Sequence, residues 1–435
     1  MDLRSVFSVL RWRLPSKGPE KSSQTTRQRV LPTPPFRIAV VCRGGTPFPQ
    51  PLGGADVFAL RQSIALAELG AEVVLVGPGN LPDRGMPPTL SLEAVPTTRT
   101  YRSHWRSLYY ARAFALTVWT TLHAAAYLRR RPARVVHCHH SMSVILLRVL
   151  ARKATVVYTV HDRPYSPLDK GQPFVQGSIR VLNNLVLEKV ATRLSDGLFT
   201  VSSSIQGMVQ AWGVPEGHCT LTPVIVLDSP SRPATAENAE CLPAERATPY
   251  ALSVGALTGR KRFDLLIRAL AFTKPDRRLV IVGTGPLKER LVQLSKDLGV
   301  ADRVTWLDSV FGEKWLDLIR GALFCVLASD REGNPTILLE SLREGTPVVY
   351  IGSSLADTGI GGPYSSHLQL GKPDEIARLF DERWDYWSQN RGCRPEIQTW
   401  ARKSTPSSNS VASRMVEVYA RLSKVDVSSL SPPPA

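Results

Sequence analysis

Two carboxylates eight positions apart, Glu332 and Glu340, occupy the chemically densest stretch of the chain, SDREGNPTILLESLREGTPVV, Ser329 to Val349. Glu340 falls among Ile337, Leu338, Leu339 and Leu342. A carboxylate in that company needs a partner, and paired sugar hydroxyls would supply one. Alone, it would equally fit the outer face of an amphipathic helix. Asn334 suits an N-cap and Pro335 the first helical position, so a helix is expected to start there with the amides of Thr336 and Ile337 free, an end that attracts phosphate. The run Arg260-Lys261-Arg262 carries the cations to neutralise a phosphate, its plainer alternative being a solvated basic turn.

Histidines add groups that titrate near neutrality. His161 and Asp162 end an apolar, β-branched stretch, and VVHCHHS sets His137 and His139 on one face of a strand with His140 opposite. No third or fourth ligand stands at useful spacing and no Asp-x-Asp motif is present, so no metal is expected. A cleft-lining strand end suits the pair better. Gly53 and Gly54 open a helix where missing side chains let backbone approach a phosphate or sugar. Gly283 and Gly285 follow a strand, a pattern that by itself marks no more than a tight turn.

Positioning these groups takes more than one core. The 435 residues exceed what a single hydrophobic core usually supports, which points to two domains. A strand is expected over Phe36 to Cys42, a helix over Ala55 to Leu69 and a strand over Glu72 to Val76, the unit that builds parallel sheets. Further strands are expected at Val135 to Cys138, Thr155 to Val160 and Gly197 to Val201. A stretch without periodicity, 228–248, reads as a linker. A second series follows, with strands Tyr250 to Val254, Arg278 to Val282, Val304 to Leu307, Leu323 to Leu327 and Pro347 to Ile351 separated by helices. The fold class is α/β, with two doubly wound halves that bind ligands beyond the carboxyl ends of their strands.

The segment from Glu332 to Glu340 resembles the E-x7-E signature of retaining GT-B glycosyltransferases of the family 4 class (glycosyl transferases group 1), and the resemblance extends over most of residues 37–350. It implies two Rossmann-like domains facing a cleft, with Glu332 on the donor sugar and Glu340 on the ribose of the nucleotide. VGALTGRKRFDLLIRAL, Val254 to Leu270, resembles the family's diphosphate-binding turn. Lys261 takes the lysine position, but Ala256 stands where an arginine is usual, so either Arg260 or Arg262 supplies the charge or the site is weakened. By the same resemblance Gly53, Gly54, Gly283 and Gly285 lie beside the donor, and His161 lies close to the transferred sugar.

The resemblance thus implies a glycosyltransferase with His161 and Glu332 as catalytic residues. Gly53, Gly54, Arg260, Lys261, Gly283, Gly285, Asn334, Pro335, Thr336 and Glu340 would bind a UDP-sugar or GDP-sugar, and His137 and His139 the acceptor, a glycan or lipid-linked molecule of cell-envelope or extracellular polysaccharide synthesis. No cofactor is implied. The expected domains are a flexible basic segment 1–36, an acceptor domain 37–227 completed by a return helix at about 405–424, a linker 228–248, a donor domain 249–400 and a disordered tail 425–435. Ala256, and Pro223 to Asp228 in place of the family's Asn-Gly turn, motivate a non-catalytic sugar-nucleotide- or protein-binding relative as the competing reading. An epimerase on the same fold is another.

Charge narrows the partners. There are 54 basic and 37 acidic residues, a net of +17, and no acidic residue lies between Glu93 and Asp162. A basic region beside an acceptor cleft suits a lipid phosphate, an anionic glycan or an anionic membrane surface. Nucleic acid is not expected, because neither a reading helix nor an aromatic stacking set accompanies the charge. Tyr109 to Leu128 is too polar for a span, and six scattered cysteines without a C-x-x-C pair fit a reducing compartment, so the protein is expected in the cytoplasm, peripheral on the membrane face.

Overall fold

IAVV at Ile38–Val41 (β1) is apolar at every position, and only a strand covered on both faces can bury such a run. All four residues are buried, the isoleucine and the two valines each contributing about 1.5–3 kcal/mol when fully withdrawn from water. A computed structural model describes residues 36–42, 54–79, 86–96, 106–161, 186–227, 248–308, 310, 312–330, 332–333, 335–352 and 362–424. The expectations for residues 1–35, 228–247 and 425–435, and for Gly53, Asp162 and Asn334, lie outside the described residues.

The first half continues with α1 (Gly54–Glu68), β2 (Val73–Pro78), β3 (Leu90–Val95), α2 (Arg106–Arg130), β4 (Val135–Cys138), α3 (Ser141–Leu150), β5 (Thr155–Val160), β6 (Gly197–Thr200), α4 (Ser203–Ala211) and β7 (Cys219–Leu221). Its seven-stranded sheet has the order β3-β2-β1-β4-β5-β6-β7. All pairs are parallel, with Val41 opposite Val76 on one side and Cys138 on the other. The second half runs β8 (Ala251–Val254), α5 (Phe263–Leu270), β9 (Leu279–Val282), α6 (Lys288–Asp297), β10 (Val304–Leu307), α7 (Glu313–Gly321), β11 (Phe324–Ser329), α8 (Thr336–Arg343), β12 (Val348–Gly352), β13 (Ser365–Leu368), α9 (Pro373–Gln389), α10 (Arg394–Ser404) and α11 (Ser408–Leu422). Its six-stranded sheet has the order β10-β9-β8-β11-β12-β13. Both orders reverse direction once, between β1 and β4 and between β8 and β11, and ligands of such sheets collect at that reversal.

Strands β3, β7 and β13 are absent from the sequence expectation. Each lies at or beside a sheet edge, where one flank is open and polar residues such as Ser365, Ser366 and His367 are tolerated. Helices α9 and α10 were also not anticipated. Helix α11, the last among the described residues, crosses back to the first sheet: Gln62 of α1 donates to the Tyr419 hydroxyl at 2.8 Å, and Arg134 donates to the Ser423 carbonyl at 2.7 Å.

Both crossovers meet at one side chain. Arg343, buried at the end of α8, donates to the Val226 carbonyl (3.1 Å) on the outgoing crossover. It also donates to the Pro406 carbonyl (2.7 Å) and the Thr405 hydroxyl (3.2 Å) on the return. Among the described residues no helix is long and apolar enough to cross a membrane.

Candidate functional site

The loops that follow β8 and β11 bring Lys261 and Glu332 together, with Nζ donating to Oε1 at 2.6 Å between side chains only 14% and 7% exposed. Burial alone would push the Glu332 carboxyl up. The Lys261 ammonium, the Arg260 charge and hydrogen bonds from Lys261 and Ser329 outweigh it and hold the group below the usual carboxylate range, so Glu332 is ionised at neutral pH. An ammonium has three N–H donors, and Glu332 uses one. The turn is stitched to β11 by the Asp330 N–H, which donates to the Arg260 carbonyl at 2.9 Å.

Of the two arginines that could stand in for the residue missing at Ala256, Arg262 is committed elsewhere. Its backbone is left-handed (φ 37°), and its guanidinium holds Asp264 at 3.2 Å and Asp330 at 3.1 Å. Arg260 is the cation whose field reaches Glu332. Gly283 and Gly285 shape this turn from behind. A Cβ on Gly283 would lie 2.0 Å from the Gly255 carbonyl oxygen, and one on Gly285 2.6 Å from that of Leu257, so only glycine lets the loop after β9 ride on the loop after β8. At the other lobe a Cβ on Gly54, the first residue of α1, would meet nothing within 4 Å.

The cap of helix α8 falls one residue later than the sequence implies. Pro335 takes the cap position with extended backbone rather than the first helical position, and Thr336 opens the helix with no side-chain cap on its first-turn amides. Proline has no hydroxyl or carboxyl with which to cap; the Leu338 amide donates to the Pro335 carbonyl at 3.0 Å, and those of Thr336 and Ile337 are the ones suited to another acceptor. Glu340 is buried about one turn on. One carboxylate oxygen accepts from the Trp315 indole at 2.9 Å, and the other is ion-paired with Arg61 of α1, from the opposite half of the molecule.

The histidines form a supporting stack. His161 closes β5; its Nε2 lies 2.8 Å from Nδ1 of His139, and its ring meets Phe58 of α1 edge-on at 5.2 Å. His139 stacks on His137 at 4.8 Å with planes 4° apart. Both rings are buried, so His137 and His139 lie beneath the cleft surface, whereas the sequence places them on it. The reason is α11, whose Tyr419 covers that face. His137 Nδ1 lies 2.7 Å from the Gln62 amide nitrogen and 2.5 Å from the Tyr419 hydroxyl, and its Nε2 lies 2.6 Å from Thr159 Oγ1. Burial, with the nearby His161 adding to it, lowers the His137 pKa to about 3, and burial drives His139 well below its ordinary value, so both stay neutral.

The halves touch where the chemistry would occur. A Cβ on Gly333, next to Glu332, would lie 2.2 Å from the His161 carbonyl oxygen, so the loop after β11 rests directly on the end of β5. Glu332, Lys261 and His161 thus belong to one site. Arg61, Gln62, Thr159, Trp315 and Tyr419 join it without having been singled out. Their signal in the sequence is limited to Arg61-Gln62, two long polar residues between the apolar runs of helix α1.

Residues 52–226 match the Glycosyltransferase Family 4 group, and residues 235–356 match Glycosyl transferases group 1. A Campylobacter jejuni enzyme named N-acetylgalactosamine-N,N'-diacetylbacillosaminyl-diphospho-undecaprenol 4-alpha-N-acetylgalactosaminyltransferase is 39% identical over 100 residues, 23% of this chain and 27% of that protein. The matched stretch is therefore about a quarter of that relative. D-inositol 3-phosphate glycosyltransferase of Acidothermus cellulolyticus is 27% identical over 73% of this chain and 75% of its own. Among solved structures, sucrose-phosphate synthase of Thermosynechococcus elongatus superposes with TM-score 0.71 at 18% identity, covering 89% of this chain and 98% of that one. Anabaena HepE in complex with UDP-glucose gives 0.63 at 14%, covering 89% and 100%. The two family matches fall one on each half, and the neighbours share the paired parallel sheets: the chain belongs to the group 1, family 4 type of glycosyltransferases and has the GT-B fold.

Proposed function

We propose that the protein moves a sugar from a nucleotide-diphosphate sugar to a glycan or lipid-linked acceptor, with retention of anomeric configuration, in cell-envelope or extracellular polysaccharide synthesis. The observation that carries this reading is the buried Lys261–Glu332 pair against the end of β5, beside the uncapped start of α8. When the bond between the sugar's anomeric carbon and the phosphate oxygen breaks, its electron pair leaves on the diphosphate. Lys261, Arg260 and the first amides of α8 are suited to that charge, and no divalent ion is invoked. Glu332 and His161 flank the sugar from the two lobes as it gains oxocarbenium character. The acceptor hydroxyl adds on the face the diphosphate leaves, and its proton passes to the departing phosphate oxygen. His137 and His139 act from below, by fixing the His161 ring.

The test is calorimetry with UDP and GDP, followed by turnover of a panel of nucleotide sugars with and without a polyprenyl-phosphate-linked glycan. One diphosphate should bind and its sugar should appear on the acceptor. Binding without consumption of any donor would favour the non-catalytic reading, and donor isomerisation without acceptor the epimerase.

The acceptor side of this proposal includes an anionic membrane, supported by α2. That helix turns Thr117, Thr120, Thr121, Ala124 and Ala125 inward and leaves Phe114, Trp119 and Leu122 exposed at 39%, 52% and 44%. The outward apolar strip runs into exposed Arg129, Arg130 and Arg131, in a region free of acidic residues. Aromatic and leucine side chains ending in arginines suit the headgroup boundary of an anionic bilayer, where each arginine adds about 1 kcal/mol. Flotation with vesicles containing phosphatidylglycerol should carry the protein upward, and a Trp119→Ser, Leu122→Ser variant should stay below. Equal flotation with neutral and anionic vesicles, or none, would defeat this part.

A further inference from the structure

Glu340 is held from two sides by residues of different lobes. Trp315, from its own lobe, donates to Oε2 at 2.9 Å, and Arg61, from α1 of the opposite lobe, pairs with Oε1. The Arg61 and Glu340 side chains are 18% and 9% exposed, so the pair is largely withdrawn from water at the junction of the lobes. Phe58, Arg61 and Gln62 share one face of α1 by their spacing. Phe58 packs on His161, and Gln62 bonds His137 and Tyr419. The helix that grips Glu340 therefore also supports the histidine stack.

We propose that Arg61 is a positioning residue that clasps the two lobes together on Glu340, and that the ribose of an incoming nucleotide must exchange with it. The inference rests on the reading of Glu340 as the ribose partner. Trp315 stays within the lobe and serves as the fixed anchor of Oε2, while Oε1 trades the guanidinium for the hydroxyl donors of the ribose. Part of the energy of nucleotide binding is then used to open the clasp, and α1 conveys its release to the residues beneath His161. Arg61 touches neither sugar nor phosphate in this scheme, so it sets donor affinity through Glu340 alone.

Removing the clasp should tighten nucleotide binding. Calorimetry on the full chain would compare UDP or GDP, whichever the wild type binds, with its 2′,3′-dideoxy counterpart. Arg61→Met is expected to bind the ribonucleotide roughly three- to tenfold more tightly, the scale of a partly exposed ion pair, with no gain for the dideoxy form. Arg61→Lys keeps the charge and should stay within about twofold of wild type. An unchanged or weakened affinity in Arg61→Met, or an equal gain for both nucleotides, would overturn the clasp. If wild type already bound the dideoxy form as tightly as the ribonucleotide, and Glu340→Gln altered neither, the ribose reading of Glu340 would itself fall, and the clasp with it.

Discussion

Glu332→Gln is expected to reduce turnover by about a hundredfold or more while leaving nucleoside diphosphate affinity within about threefold of wild type, and Lys261→Ala to do the reverse to binding. The amide keeps the shape of the carboxylate and loses its charge, so the sugar loses the anion placed against its developing positive charge. Lys261, released from its 2.6 Å partner, remains available to the diphosphate. In Lys261→Ala the cation is gone and an ionised Glu332 is left buried without its partner. Breaking a pair this little exposed costs about 3–5 kcal/mol before any discount for residual solvent, so the variant should unfold at lower temperature as well as bind its ligand some ten- to a hundredfold more weakly. Calorimetry with the diphosphate, turnover at saturating donor and thermal melts separate these effects. A loss of diphosphate affinity in Glu332→Gln as large as that in Lys261→Ala would contradict the division of labour between the two side chains.

Acid should destabilise the protein through its buried histidines. His137 has its pKa lowered from 6.5 to about 3, so between those values the unfolded chain takes up a proton that the folded chain refuses. Stability is fully present above 6.5 and falls as pH drops, by about 1.4 kcal/mol per pH unit for this one group. His139, lowered in the same direction, adds to the slope. His137→Gln retains an acceptor and a donor for the same surroundings but does not titrate. Urea denaturation at about pH 7.5 and about pH 5.5 should show the variant losing roughly 1–2 kcal/mol less than wild type over that interval. Parallel losses would mean that His137 charges within the fold.

Much of this architecture is legible in the residues because central strands of parallel sheets are apolar throughout. IAVV, LVIV and FCVLAS admit one reading. Edge strands carry no such mark: β13 is SSHL, half exposed, and only its pairing with β12 makes it a strand. The helix Pro373–Gln389 went unanticipated although Ile376, Ala377, Phe380, Trp384 and Trp387 give it a clear apolar stripe, all buried in the fold. The site divides in the same way. Lys261 and Glu332 sit in recognisable turns, and each is held by its own strand and helix. Strand alternation correctly puts His137 and His139 on one face. What covers that face is Tyr419, 282 residues further along, and no local pattern carries that information. The pairing of Arg61 with Glu340 likewise depends on how two separately folded sheets meet.

Arg343 ties the outgoing and the returning chain to the foot of α8, whose head carries Thr336 and follows directly on the Glu332 loop. The tie between the two crossovers and the amides proposed to face the diphosphate are thus opposite ends of one helix of eight residues. If one half swings about this point, no loop intervenes to absorb the motion, so under the role proposed for the first amides of α8 the opening angle and the hold on a diphosphate would vary as one mechanical coordinate.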